Sequence, residues 1–387
     1  MQGLDRLEGA QMNRRLFLFW LANMGLGARQ GAKLGKVGEK KPDELLRDAL
    51  TATRQKHGVP ALAGAFASGD GTVICDAVGV CRVGGEESVS RDDAFHLGSC
   101  TKAMTATMLA RLVEREVLAW ETTVAEAFPD LQDRLHPKFR QATLYHFLAH
   151  RSGLPDDTQP DAVIFPRLKR LTEPMREQRR RMVGWLLSRP PAYPPGEKMV
   201  YANAGYVVAA AMAEAVTGRS WEELMSAELF EPLDMESVGF GAPPKVYGHD
   251  HSGRQCQPIT PSPESDNPPA LAPAGGVHCS LNDWARFALL HLKGAQREQG
   301  LLLKPETFRK LHDDPFQQGY ALGWLVVKRS WAKGIAFTHA GSNTLWFAVI
   351  WLAPNRNAAF LAAANCGGEH AFHACDDAIG RMIELFL

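Results

Sequence analysis

An α+β fold follows from three features of the 387-residue sequence. Strand patterns sit toward both ends of the chain, helical patterns fill the middle, and an amphipathic helix closes it. The arrangement that satisfies all three is one mostly antiparallel sheet built from both ends. Terminal helices flank that sheet, and a mainly helical region is inserted at about residues 119–235. Hydrophobic residues make up 45% and charged residues 22%, which excludes wholesale disorder, collagen and a polytopic membrane protein. A chain of this length buries a core without disulfide staples. Lys and Arg number 43 and Asp and Glu 43, so no basic footprint marks a nucleic acid or an acidic membrane as partner.

Residues 1–28 read as an export signal with Met12 as a candidate start. Arg14 and Arg15 precede an apolar run, Leu16 to Ala28, that is too short to span a bilayer core of about 30 Å as a helix. Gly25, Gly27 and Ala28 supply a small-residue cleavage site. The run resembles a twin-arginine signal, which implies a periplasmic or secreted protein with no stable span in the mature chain. The alternative is an uncleaved amphipathic helix on a cytoplasmic protein. Residues 29–41 form a Lys/Gly-rich tether, and residues 42–387 the folded domain.

Pro42-Asp43-Glu44 opens the first helix. Ala61–Ala67 and Thr72–Val83 alternate as strands around a Ser68-Gly69-Asp70-Gly71 turn, a hairpin. A long helix is expected from about Ser99 to Leu118, then mostly helical pattern to about Met235. Pro243 to Pro273 is a Pro-rich connection, followed by a helix around Ser280–Leu292. Strands return at Tyr320–Val327, Ala336–Thr338, Leu345–Leu352 and Ala358–Ala364. Ala378, Ile379, Met382, Ile383 and Phe386 share one face of the last helix.

Three motifs carry chemistry. In Gly98-Ser99-Cys100-Thr101-Lys102, the Ser and Lys are three apart on one helical face. A serine hydroxyl is a weak nucleophile and needs a base beside it. Lys can serve if burial and neighbours bring its pKa down from about 10.4. Tyr201-Ala202-Asn203 follows, with a phenol that can relay protons and an amide that can hold a carbonyl or the lysine. His339-Ala340-Gly341-Ser342 ends a predicted strand, and its glycine lets backbone approach a ligand. The Ser342 N–H can then join the Ser99 N–H as an oxyanion hole.

In this order and spacing the motifs resemble S-x-x-K, Y-x-N and H-x-G of the serine β-lactamase and penicillin-binding superfamily. Tyr in the second motif points to the class C β-lactamase-related branch, with its DD-carboxypeptidases, D-aminopeptidases and family VIII carboxylesterases. The surrounding text is similar too: Leu148-Ala149-His150-Arg151-Ser152-Gly153-Leu154-Pro155, Pro273-Ala274-Gly275-Gly276-Val277 with Asp283-Trp284, and Gly319-Tyr320-Ala321-Leu322-Gly323-Trp324. The resemblance implies a β-lactamase/transpeptidase-like fold and a serine hydrolase working through an acyl-enzyme on Ser99. It implies Lys102 and Tyr201 as the proton-handling pair and the N–H groups of Ser99 and Ser342 as the oxyanion hole. Asn203, His339 and Gly341 would bind substrate, a small ester, amide or β-lactam. No metal and no organic cofactor is implied.

One departure directs the substrate reading. Efficient β-lactamases of this branch carry Lys-Thr-Gly as the third motif. Here the lysine is replaced by His339, whose ordinary pKa near 6.5 makes it a poorer carboxylate anchor at pH 7. This favours an ester over a β-lactam. The alternatives are a DD-carboxypeptidase or D-amino-acid amidase, a class C-like β-lactamase, and a non-catalytic binding module. Sequence does not fix the oligomeric state.

Other signals point to structure. His146 and His150 have zinc-ligand spacing, but Phe147 stands where H-E-x-x-H needs Glu; His150 is expected to hydrogen-bond the loop it opens. His249-Asp250-His251 is expected at the surface, and Trp324 and Trp346 as half-buried strand aromatics beside the third motif. Seven cysteines, with no Cys-x-x-Cys, allow one or two bridges in an oxidising compartment without fixing the pairs.

Overall fold

A computed structural model describes residues 40–157, 171–251, 256–262 and 265–387. The proposed export signal and most of the tether lie outside them. No described helix is long and apolar enough to cross a membrane.

Helix α1 (Pro42–His57) begins with Pro at its first position and acidic residues in the first turn. Gly58 ends it in the left-handed conformation, φ 66°. Strands β1 (Ala61–Ser68) and β2 (Val73–Gly79) form the expected hairpin. β2 stops earlier than read, because Gly79 (φ 109°) turns the backbone out of the ladder. After β3 (Phe95–His96), a 3-10 turn Gly98–Cys100 leads into α2 (Thr101–Glu114). α2 is shorter than its pattern, since Glu116 at φ 60° breaks it.

The middle of the chain is helical in short pieces. Among the described residues its two long helices are α3 (Met175–Leu187) and α4 (Asn203–Thr217). The fully buried Arg179 of α3 joins Glu214 of α4 at 2.6 Å and also pairs with Glu222, while its Nε donates to the Ala270 carbonyl at 3.2 Å. A buried guanidinium stands only with such partners.

Short strands follow: β4 (Gly239–Phe240), β5 (Gly248–Asp250), β6 (Gln257–Ile259) and β7 (Val277–Cys279). Ser280 caps α5 (Leu281–Ala295) by accepting from the Asp283 N–H. The unexpected α6 (Pro305–His312) comes next. Strands β8 (Leu325–Arg329), β9 (Gly334–Ser342), β10 (Phe347–Ala353) and β11 (Ala358–Ala364) precede the closing helix α7 (Gly368–Phe386). β8 begins at Leu325 rather than Tyr320, because Gly323 (φ 86°) makes a turn between them.

The main sheet has the order β2-β1-β11-β10-β9-β8, and every neighbouring pair is antiparallel. Alternation along the strands sorts side chains to two cores. Leu62, Phe66, Val349, Trp351 and Phe360 face α1 and α7. Ala63, Ala65, Ile350, Leu361 and Ala363 face α5 and the helical body. Lys56 and His57 of α1 both reach Asp377 of α7, at 2.5 and 2.7 Å, joining the two ends of the chain. The start of α2 lies where the helical body meets β9, and the candidate site is there.

Candidate active site

Ser99 sits in the turn ahead of α2 and is 5% exposed. One helical turn on, the Lys102 side chain is fully buried. Its Nζ lies 3.0 Å from Ser99 Oγ, 2.9 Å from Asn203 Oδ1 and 2.6 Å from the Ala274 carbonyl. The same Nζ stands 4.9 Å from the centre of the Tyr201 ring. The first and second motifs, a hundred residues apart in sequence, therefore converge on one nitrogen. At 3.0 Å an unprotonated amine can accept the serine proton, and a protonated one can return it.

Asn203 is held by a residue that sequence reasoning did not single out. Asp157 accepts from the Asn203 N–H at 3.0 Å, the Ala204 N–H at 2.6 Å and the Asn203 side-chain amide at 3.2 Å. It thus caps α4 from a distant loop, because the N-cap residue itself is Ala202. By taking the amide N–H₂ it turns the Asn203 oxygen toward Lys102.

His150 supports Tyr201 from behind. Its Nδ1 accepts from the Ala202 N–H at 3.2 Å, its carbonyl accepts from the Val200 N–H at 2.7 Å, and its ring centre is 4.3 Å from that of Tyr201. His146 instead completes a capping box with Thr143, so the two histidines do not converge as metal ligands would.

The third motif meets the nucleophile through backbone. A Cβ on Gly341 would lie 2.1 Å from the Leu97 carbonyl oxygen and 2.4 Å from the Ser99 nitrogen. One on Gly98, itself at φ 50°, would lie 2.4 Å from the Ser342 nitrogen. Only glycines let these two strands of backbone touch, and they bring the Ser99 and Ser342 N–H groups to one seam. The His339 ring is buried, with Nε2 3.5 Å from the Tyr320 hydroxyl. Burial pushes that phenol's pKa well above its ordinary value.

A second network braces the seam. His96 Nδ1 accepts from the Gly98 N–H at 3.1 Å, and its Nε2 meets Asp266 at 3.1 Å. Asp266 also accepts from the Asn343 side chain at 2.7 Å. Burial alone would raise the Asp266 carboxyl, but its interaction with His96 and the hydrogen bonds from Asn343 and the Asn267 N–H outweigh it and hold it below its usual range. One carboxylate therefore ties the residue before the nucleophile to the residue after Ser342.

Cys100, next to Ser99, packs in the core and points away from the site, donating to the His339 carbonyl at 3.4 Å, and burial raises its thiol pKa. Three neighbouring residues lie elsewhere than expected. Trp324 and Trp346 are fully buried rather than half-buried. Trp346 stacks on His96, and its indole N–H donates to the Val246 carbonyl at 3.2 Å. His249 is buried rather than on the surface, bonded to the Asn365 carbonyl at 2.6 Å and the Val83 N–H at 3.1 Å. A surface groove lined by Leu131, Arg134, Glu177, Arg180 and Trp185 lies on the helical region and contains no nucleophile.

The two-sided antiparallel sheet, with a Ser–Lys turn at its junction with a helical body, defines the β-lactamase/transpeptidase-like fold. Residues 46–381 match the family model described as beta-lactamase, and the chain belongs to that family, whose members are generally hydrolases. It is 25% identical over 346 residues to penicillin-binding protein 4 of Amycolatopsis lactamdurans, covering 84% of this chain and 86% of that protein. The crystal structure of SurE superposes with a TM-score of 0.72 at 22% identity, covering 89% of this chain and 76% of that one. The D-amino acid amidase of Ochrobactrum anthropi SV3 superposes at 0.70 with 20% identity, covering 88% and 98%.

Proposed function

We propose that the protein is a serine hydrolase that cleaves a carboxylic ester through an acyl-enzyme on Ser99. The observation that carries this is the buried Lys102 amine at 3.0 Å from Ser99 Oγ. Ser99 Oγ attacks the carbonyl carbon while its proton passes to Lys102 Nζ. The carbonyl oxygen, now an oxyanion, accepts from the Ser99 and Ser342 N–H groups. The leaving alcohol takes a proton from Lys102, with Tyr201 beside it as relay. Water then attacks the acyl carbon, Ser99 Oγ recovers a proton, and the acid is released. Asn203 and Gly341 shape the carbonyl site.

The preference for an ester rests on His339. The third motif presents an inward-facing imidazole where a lysine ammonium would anchor a carboxylate, so a substrate with an obligatory carboxylate gains little there. Amide cleavage is the second reading, favoured by the likeness to D-amino acid amidase and to penicillin-binding protein 4. Turnover of p-nitrophenyl butyrate, D-alanine amide and a chromogenic cephalosporin separates these readings. The ester reading expects kcat/KM highest for the butyrate, with all activity lost in Ser99→Ala. A cephalosporin or amide turned over faster than the ester would overturn the preference, and butyrate turnover surviving in the variant would overturn the nucleophile.

A further inference from the structure

Cys256 and Cys366 stand with their sulfurs 3.0 Å apart, although 110 positions separate them in the chain. A disulfide bond measures about 2.05 Å, so a small side-chain movement joins them. Both are buried, but Cys256 keeps 6% of its surface exposed while Cys366 has none. The pair lies at a junction: Cys256 Sγ is 3.9 Å from the carbonyl of Gly58 at the end of α1, and Cys366 immediately precedes the turn into α7. Around it, the Gly367 N–H donates to the His249 carbonyl at 3.2 Å, and the His249 N–H to the Leu345 carbonyl at 3.1 Å. Cys81, Cys100 and Cys375 approach main-chain carbonyls too, of Ser88, His339 and Phe347; what sets Cys256 and Cys366 apart is the sulfur–sulfur contact.

We propose that Cys256 and Cys366 are a redox-active pair that closes to a disulfide when the protein meets a small-molecule disulfide oxidant. Cys256 is the attacking thiol. It is the more exposed of the two, and the hydrogen bond from Cys366 favours its thiolate and lowers its pKa. Its sulfur displaces one thiolate from the oxidant and forms a mixed disulfide. Cys366 then gives up its proton and attacks the Cys256 sulfur, expelling the second thiolate. Two protein thiols become one disulfide, and the oxidant is reduced to two thiols. The bridge staples β6, which pairs with β5 in a two-stranded ribbon, onto the layer formed by α1 and α7. It is independent of the hydrolase reading, since neither cysteine touches Ser99, Lys102 or Tyr201 in any contact above.

The test refolds the full chain from urea in a mixture of oxidised and reduced glutathione, so that burial does not limit access. Free thiols are then trapped with iodoacetamide and the protein digested without reduction. The expected result is a linked Cys256–Cys366 peptide, with two fewer alkylated thiols than in protein kept under a phosphine reductant. In Cys256→Ser the linked peptide disappears and Cys366 is alkylated. The oxidised wild type should also lose thermal stability when dithiothreitol is added, and Cys256→Ser should not. Full alkylation of both cysteines in the glutathione mixture, or glutathione left on Cys256 with no internal bridge, overturns the proposal. Equal thermal responses in the two proteins overturn the stapling role.

Discussion

Helix α2 carries two buried polar clusters, and they differ in what they can do. At its start, Lys102 gathers Ser99, Asn203 and the Ala274 carbonyl. Farther along, Thr107 Oγ1 meets His291 Nε2 at 2.8 Å, and His291 Nδ1 meets His312 Nε2 at 2.9 Å. The second cluster is sealed by Phe287, Phe308, Trp324 and Phe337. Its histidines satisfy one another, and nothing reactive faces outward. The first holds the Ser99 hydroxyl at the edge of a glycine seam that brings the Ser99 and Ser342 N–H groups together, the place where the proposed reaction would occur. Burial and hydrogen bonding alone therefore do not mark a site. Geometry around a place for a reacting atom does.

Removing the nucleophile should separate the clusters most sharply. Ser99→Ala is expected to lower ester turnover by at least about a thousandfold with little change in stability, read from burst-free steady-state kinetics and a urea titration. Gly341→Ala is next. Its new methyl must push against the Leu97 carbonyl and the Ser99 nitrogen, so kcat should fall about a hundred- to a thousandfold, as for a lost oxyanion donor. Circular dichroism confirms that the variant is folded, and wild-type kcat in such a protein would break the seam argument.

Asp157→Asn should have a smaller effect. It keeps the size of the side chain but replaces one of the acceptors for Asn203 and Ala204, freeing the Asn203 amide to turn. A fall of roughly ten- to a hundredfold in kcat, with KM little changed, is expected for misorientation at a lysine partner. An unchanged kcat would reduce Asp157 to a helix cap.

The sealed cluster should respond to acid rather than to active-site chemistry. Burial lowers His312 from 6.5 to about 3, and burial and His312 hold His291 well below its ordinary value. His312 stays neutral in the folded protein at pH 5 and His291 resists protonation in the same direction, while the unfolded chain takes up protons below about 6.5. Stability therefore falls as pH drops from about 6.5 toward 3, by up to about 1.4 kcal/mol per pH unit for each histidine. Asp376, raised to about 6 by burial and by Asp377, works in the opposite direction. The informative quantity is thus the difference between wild type and the paired His291→Leu, His312→Phe variant. Urea midpoints at pH 7 and pH 5 should diverge less in the variant, and identical slopes would contradict the assignment.

The parts of this candidate site readable in the sequence are those proposed to act through their side chains. Ser99, Lys102, Tyr201 and Asn203 announce themselves by type and spacing, and the structure gathers them around one nitrogen. Gly341 was visible as a glycine, and its reason became clear only from the Ser99 nitrogen that its missing Cβ leaves room for. The Ala274 carbonyl was not legible, because a main-chain acceptor has no residue signature. Asp157 follows another aspartate, Asp156, in sequence, and only the fold shows which one caps a helix that begins 46 positions later. The His96–Asp266–Asn343 brace spans three separate segments and has no spacing to read. Helix α6 carries a start signal, Pro305-Glu306, but its 8 residues give the amphipathic pattern little length to repeat. In the fold, both sheet halves followed from strand-like apolar runs bounded by turn residues, and the terminal helices from amphipathicity; β1, β10 and β11 are buried along almost their whole length. Strand ends at Gly79 and Gly323 depended on positive φ angles that pattern alone does not locate.

The central claim is that Ser99 becomes acylated. Protein mixed with p-nitrophenyl butyrate and quenched in acid within the first turnovers, then digested and mapped by mass, tests it most directly. Deacylation can be slowed by low temperature to hold the intermediate. The account predicts one butyryl group, on the peptide containing Ser99, absent from Ser99→Ala. A butyryl group on any other residue that appears and decays at the turnover rate, with Ser99 unmodified, would contradict it.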